Sequence, residues 1–197
     1  MSFVSREFKP YFERSISPVV DFLSTRGVHP NLITLAGFGL ITLGSVALYY
    51  KMSLAALLLM GMGALLDAVD GAVARRRGLE SEFGAFLDST VDRLSDAMPF
   101  LSLGLLYAEV SQPLGVALSF TALIGSYGVS YTRARAEALG IYGIGGIFER
   151  TERWLVLLLG IASELIPLAL FIITLGGFAT SLQRVYEVKK SLDRRYS

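Results

Sequence analysis

Runs of roughly twenty apolar residues follow one another through most of this chain, and the connections between them are short. A run of that length matches the ~30 Å hydrocarbon core of a bilayer. No water reaches that depth, so the backbone must satisfy its own hydrogen bonds, and an α-helix does this within one segment. The first run is Leu32 to Tyr50, closed by the turn Lys51-Met52-Ser53. Leu54 to about Arg75 is the second, ending in Arg75-Arg76-Arg77-Gly78. Ser81 or Glu82 opens a third that reaches about Tyr107, and residues 108–113 make a turn. The fourth runs from about Leu114 to Ala138 and gives way to a glycine-rich stretch over 140–147, which reads as a loop. Glu149 or Thr151 starts a fifth, ending near Glu164. Pro167 sits in the first turn of the sixth, which continues to about Leu182 and is followed by a basic amphipathic tail, Arg184 to Arg195. The expected fold is all-α, an integral membrane bundle of six transmembrane helices.

Ahead of the bundle, residues 1–29 mix Arg6, Lys9, Arg14 and Arg26 with Phe3, Phe8, Tyr11, Phe12, Ile16, Val19, Val20, Phe22 and Leu23. That pattern predicts an amphipathic helix lying in the membrane interface; a helix packed on the body is the alternative. Pro10 and Pro18 are expected to bend or restart it, and Pro30 suits the first turn of the next helix. The chain thus divides into a juxtamembrane segment, 1–29, and a six-helix membrane domain, 30–197. Residues 1–26 lack the compact apolar core of a cleavable signal peptide.

Charge tests the count. Taken alternately, the connections on one side hold the N-terminal segment, Arg75 to Arg77, Arg133, Arg135, Arg150, Arg153 and the Lys189-Lys190-Arg194-Arg195 tail. The other side holds only Lys51. The positive-inside rule then predicts a multi-pass cell-membrane protein with both termini in the cytoplasm. A net charge of +1 argues against bulk nucleic-acid binding, and the absence of cysteine excludes disulfides and thiol metal sites. With His29 as the one histidine, a zinc site or a histidine base is not expected.

Four carboxylates interrupt this apolar sequence. Asp67 and Asp70 close the second run, and Asp88 and Asp92 open the third. Spacings of three and four place each pair on one helix face, and the polar stretch 76–83 can turn the chain back. If the faces meet, four like charges converge where they must protonate or bind cations. Hard divalent ions take oxygen ligands, and paired ions form the clamp used in phosphoryl transfer. Intramembrane carboxylates are candidate functional residues, here at the cytoplasmic face. Gly71, Ala72 and Ala74 suit either close approach of a flat ligand or helix–helix packing. Arg75 places a cation about one turn from Gly71, suited to a phosphate.

The whole pattern, D-x2-D-G-x2-A-R-x8-G-x3-D-x3-D from Asp67 to Asp92, resembles the signature of the CDP-alcohol phosphotransferases, with every defined position met. The segments 130–138 and 145–153 further resemble the phosphatidylinositol-phosphate (or archaetidylinositol-phosphate) synthase branch. The resemblance implies a transferase that moves a phosphatidyl-type group, diacyl- or dialkylglycerol phosphate, from a CDP-lipid to inositol 1-phosphate and releases CMP. It implies two divalent cations, Mg2+ or Mn2+, on Asp67, Asp70, Asp88 and Asp92, with Asp92 also the general base. Contacts to the CDP-lipid would come from Asn31, Leu32, Ile33, Thr34, Asp67, Gly71, Ala74, Arg75, Ser81 and Gly84. The acceptor phosphate would lie on Arg133, Arg150 and Arg184. Arg133 stands where the branch more often has lysine. Family members are usually homodimers among membrane lipid.

Other acceptors are open, glycerol 3-phosphate first, then serine or plain inositol. An aspartate-rich membrane prenyltransferase is a more distant reading, but it usually carries a closer acidic cluster, twice. A cation transporter would hold its carboxylates at midplane, and the arginines here would repel cations.

Overall fold

The computed structural model describes residues 3–196, with side chains described from 14 to 195. Among the described residues it consists of seven α-helices joined by short turns and one longer loop: α1 Phe3–Thr25, α2 Pro30–Tyr49, α3 Ser53–Arg77, α4 Glu82–Glu109, α5 Pro113–Ala138, α6 Arg150–Ala162 and α7 Ile166–Tyr196. Four of them, α2, α3, α5 and α7, are long and apolar enough to cross a membrane. The other two expected spans differ for separate reasons. α4 has 28 residues but carries Asp88, Asp92, Arg93 and Asp96 along its first half. α6 has only 13 residues, ~20 Å at ~1.5 Å per residue.

Two expectations about boundaries are corrected. α1 runs unbroken through Pro10 and Pro18, so neither proline restarts it. α7 continues past Leu182 to Tyr196, so the basic tail is the last part of the sixth apolar helix and not a separate element.

The chain forms two compact units, residues 8–110 and a second made mainly of residues 111–197. In the first, α2 packs against both α3 and α4. Glycine makes the α2–α3 approach possible: a Cβ on Gly63 would lie 2.8 Å from the Gly37 carbonyl oxygen and 2.6 Å from Ile41 Cγ1. The inner face of α1 joins this unit through Ile16 and Val20, which form one apolar cluster with Ile33, Val69 and Val73. Val19 and Phe22, on its other face, are exposed. Asp21 pairs with Arg76, and Arg77 donates to the Val28 carbonyl at 2.8 Å, so α1 and its following turn hold the end of α3. Gly78, left-handed at φ 61°, then stops α3 and sends the chain toward α4.

In the second unit α7 packs against α5 and α6. Here too the backbones touch: a Cβ on Gly177 would meet the Gly125 carbonyl carbon at 2.8 Å.

Candidate active site

The acidic signature folds as its spacing predicts. Asp67 and Asp70 lie about three and two turns from the end of α3, and Asp88 and Asp92 lie in the early turns of α4. One carboxylate oxygen from each of Asp67, Asp88 and Asp92 lies within 4.8 Å of the others. Ions that bind oxygen at ~2.0–2.6 Å can bridge such a gap. The donor set, oxygens only, fits a hard divalent cation.

Asp70 is not in that trio. It is buried, and its Oδ2 accepts a hydrogen bond from the Thr34 hydroxyl of α2 at 2.5 Å. This bond ties the start of α2 to the end of α3. Arg93, next in sequence to Asp92, reaches its Oδ2 at 3.3 Å. One turn beyond Asp92, Asp96 is 5% exposed and continues the same helical stripe. Neither Arg93 nor Asp96 was singled out from the sequence. The Asp88-Asp92-Asp96 spacing of four was the legible signal for the latter.

A cavity of about 190 Å³ opens beside the carboxylates. Asp70 and Asp88 form part of its wall, and so do Asn31, Thr34, Gly71, Ala74, Arg75, Ser81 and Gly84. The Arg75 guanidinium folds back over Gly71, with Nη1 3.4 Å from where a Cβ would stand. On the opposite wall the Ser81 hydroxyl caps α4 by accepting from Gly84 N at 3.0 Å. Without a side chain on Gly84, the Asn31 amide oxygen and Ser81 Oγ approach the α4 backbone. Three expected contacts are not in this lining: Asp67 belongs to the carboxylate trio, Ile33 is buried in the apolar cluster of α1, α2 and α3, and Leu32 is exposed.

The expected acceptor arginines occupy unlike environments. Arg133 is exposed on α5 and pairs with Glu137, one turn on, at 3.0 Å. Its charge is therefore not buried within the protein. Arg184, placed by sequence at a helix end, is the buried one, at 1% exposure. It donates through Nε to Gly145 O at 3.2 Å, through Nη1 to Val129 O, and through Nη2 to Glu149 Oε1 at 3.0 Å. Arg150 begins α6, and Arg153, one turn later, is 4% exposed. The burial of Arg153 and the pairing of Glu149 with Arg184 were not foreseen, the latter because it depends on how the 140–149 loop folds over α7.

Comparison with known proteins places this arrangement. A sequence model described as CDP-alcohol phosphatidyltransferase matches residues 27–177. A protein of Aquifex aeolicus without an assigned function is 58% identical over 98% of both chains. The archaetidylinositol phosphate synthase of Pyrococcus horikoshii is 36% identical over 95% of this chain and 97% of its own. Phosphatidylinositol phosphate synthase of Mycobacterium tuberculosis, solved with CDP-DAG bound, superposes with a TM-score of 0.79 at 30% identity, covering 89% of this chain and 94% of that one. The same enzyme, solved with manganese and citrate, gives a TM-score of 0.79 at 31% identity and covers 87% of each chain. The signature on α3 and α4, the carboxylate cluster it builds and these likenesses over nearly the whole length agree: the chain belongs to the CDP-alcohol phosphatidyltransferase family.

Proposed function

We propose that this transferase moves a phosphatidyl-type group from a CDP-lipid to inositol 1-phosphate. The observation that carries the reading is the convergence of Asp67, Asp88 and Asp92 beside a cavity whose wall includes Asp70, Gly71, Ala74 and Arg75. The names of the relatives support inositol phosphate over glycerol 3-phosphate as acceptor. Asp67, Asp70, Asp88 and Asp92 would hold two divalent cations, Mg2+ or Mn2+. Once bound, the cations supply charge neutralisation for the diphosphate and polarise its bond to the leaving group.

The chain's own groups do the rest. Arg75 takes diphosphate oxygens, and the small residues Gly71 and Ala74 leave room for cytosine and ribose. Asn31, Thr34, Ser81 and Gly84 complete the nucleotide side. Asp92 accepts the proton of the acceptor hydroxyl as its oxygen bonds to the lipid-linked phosphorus. The phosphorus–oxygen bond to CMP breaks in the same displacement. Placement of such a base is worth ~10²–10⁴-fold in rate. Arg133, Arg150 and Arg184 receive the acceptor's phosphate. No covalent enzyme intermediate is needed.

In the same reading α2 to α7 cross the membrane, α1 lies in its interface, both termini and the site face the cytoplasm, and the protein works as a homodimer among membrane lipids. The topology is supported by the side-to-side contrast in Lys and Arg.

The test is a panel of acceptors with one CDP-lipid, scored by CMP released. Inositol 1-phosphate is expected to lead, chelation to abolish release, and Asp92→Asn to keep CDP-lipid binding while losing turnover. Faster release with glycerol 3-phosphate would overturn the acceptor, and normal turnover by Asp92→Asn would overturn the base.

A further inference from the structure

The glycine-rich segment 140–149 is more than a connection. It is stitched to α7 at three successive turns of one face. The Phe148 ring lies on Gly176, where an added Cβ would come within 2.5 Å of it. The Phe148 N–H donates to Thr180 Oγ1 at 3.0 Å. Gly145 O and Glu149 Oε1 accept from Arg184. Gly146 fits only because it lacks a side chain, since a Cβ there would lie 2.6 Å from Thr180 and 3.1 Å from Arg184 Nη2. Positions 176, 180 and 184 form a spacing of four, so one stripe of α7 holds the segment down.

Glu149 is the hinge of this arrangement. It is the N-cap of α6 and forms a reciprocal capping box with Glu152, whose Oε2 accepts from Glu149 N at 3.0 Å. One carboxylate therefore serves two elements. It fixes the first turn of α6, which carries Arg150 and Arg153, and it holds the buried Arg184 of α7. A guanidinium has five N–H groups, and three of those of Arg184 are given to Gly145, Val129 and Glu149. These three bonds set the plane of the guanidinium. A buried cation without this neutraliser would be costly to keep charged and hard to hold in one orientation.

We propose that Glu149 is a positioning residue for the acceptor, which locks Arg184 and the arginines of α6 into one geometry that receives a phosphate monoester. The proposal rests on the acceptor role given above to Arg184. Glu149 itself does not touch the substrate; it acts through Arg184 and through the α6 cap.

The experiment measures steady-state constants for Glu149→Gln, Glu149→Asp and Arg184→Lys, with inositol 1-phosphate and CDP-lipid varied separately. Glu149→Gln keeps the shape but loses the charge. It is expected to raise the KM for inositol 1-phosphate roughly tenfold to a hundredfold, the scale of one charge-assisted hydrogen bond. The KM for CDP-lipid should stay unchanged, since that site is built from residues 8–110. Glu149→Asp should recover part of the loss. An equal fall in apparent affinity for both substrates, or a loss confined to kcat, would mean a purely structural role and overturn the proposal. If Arg184→Lys raises the acceptor KM and Glu149→Gln does not, the proposal fails while the acceptor pocket stands. If neither moves it, the acceptor assignment itself fails.

Discussion

Thr34 carries two readings that differ by one bond. By resemblance it is a contact to the CDP-lipid. In the structure its hydroxyl is directed to Asp70 Oδ2, and the residue is 6% exposed. A hydroxyl has one proton to give, and here it is directed to the carboxylate of Asp70, a metal ligand in the reading proposed above. Groups in that position typically alter metal affinity ~10–100-fold. Thr34→Val, which keeps the shape and removes the hydroxyl, is expected to weaken Mn2+ binding by about tenfold or more in the absence of nucleotide. Thr34→Ser should restore it. Free Mn2+ read by electron paramagnetic resonance in detergent is the measurement. A variant that binds Mn2+ normally and loses only CDP-lipid affinity would leave Thr34 with its nucleotide role alone. At this scale the sequence was legible wherever function follows helical spacing. Asp88 and Asp92 share a face because they are four apart, and the short turn between α3 and α4 brings Asp67 to them. It was illegible where one distant side chain selects the orientation of another, as Thr34 does for Asp70 across 36 positions. The arginines show the same limit. Arg133 has its partner one turn away at Glu137, a pair readable in the sequence, while Arg184 is buried by a loop whose path no local pattern encodes.

Elements were predictable when their apolar period was long, and less so where polar residues share the helix. α2, α3 and α5 fall within a few residues of their expected bounds. α4, expected to open at Ser81 or Glu82, begins at Glu82 with Ser81 as its N-cap. Small residues matter most at the contacts between these helices. Near its Gly125 neighbour, Gly177 leaves no room for a methyl group, whereas Gly61 on α3 has nothing within 4 Å of its would-be Cβ. Gly177→Ala must therefore push α5 and α7 apart, at a cost of ~1–3 kcal/mol. Gly61→Ala should be neutral or stabilising, because alanine favours the helix by ~1 kcal/mol. Thermal unfolding in one detergent compares the two. Equal midpoints would show that the α5–α7 contact is slack.

For the whole molecule, the sequence supplied the all-α class, the sidedness of its charge and, through the Asp67–Asp92 signature, the family, which the relatives bear out. The topology can be tested directly because the chain has no cysteine, so single-cysteine variants carry one label each. Gly78→Cys, in the turn between α3 and α4, is expected to react with a membrane-impermeant maleimide only from the cytoplasmic side. Ser111→Cys, in the turn after α4, is expected to react only from outside. Labelling of both from one side would overturn the proposed crossing by α4.

The brevity of α6 has its own consequence. Thirteen residues reach ~20 Å, while the oily layer is ~30 Å deep, so in the proposed topology lipid beside this helix thins or its ends sit below the headgroups. Irregular main chain at such depth survives only when protein groups satisfy it, and Arg184 and Thr180 do that for Gly145 and Phe148. If α6 crosses as proposed, the length of the surrounding hydrocarbon tails becomes a physical variable acting on the catalyst, and a cell that changes those tails changes the mechanical setting of an enzyme that assembles its own lipids.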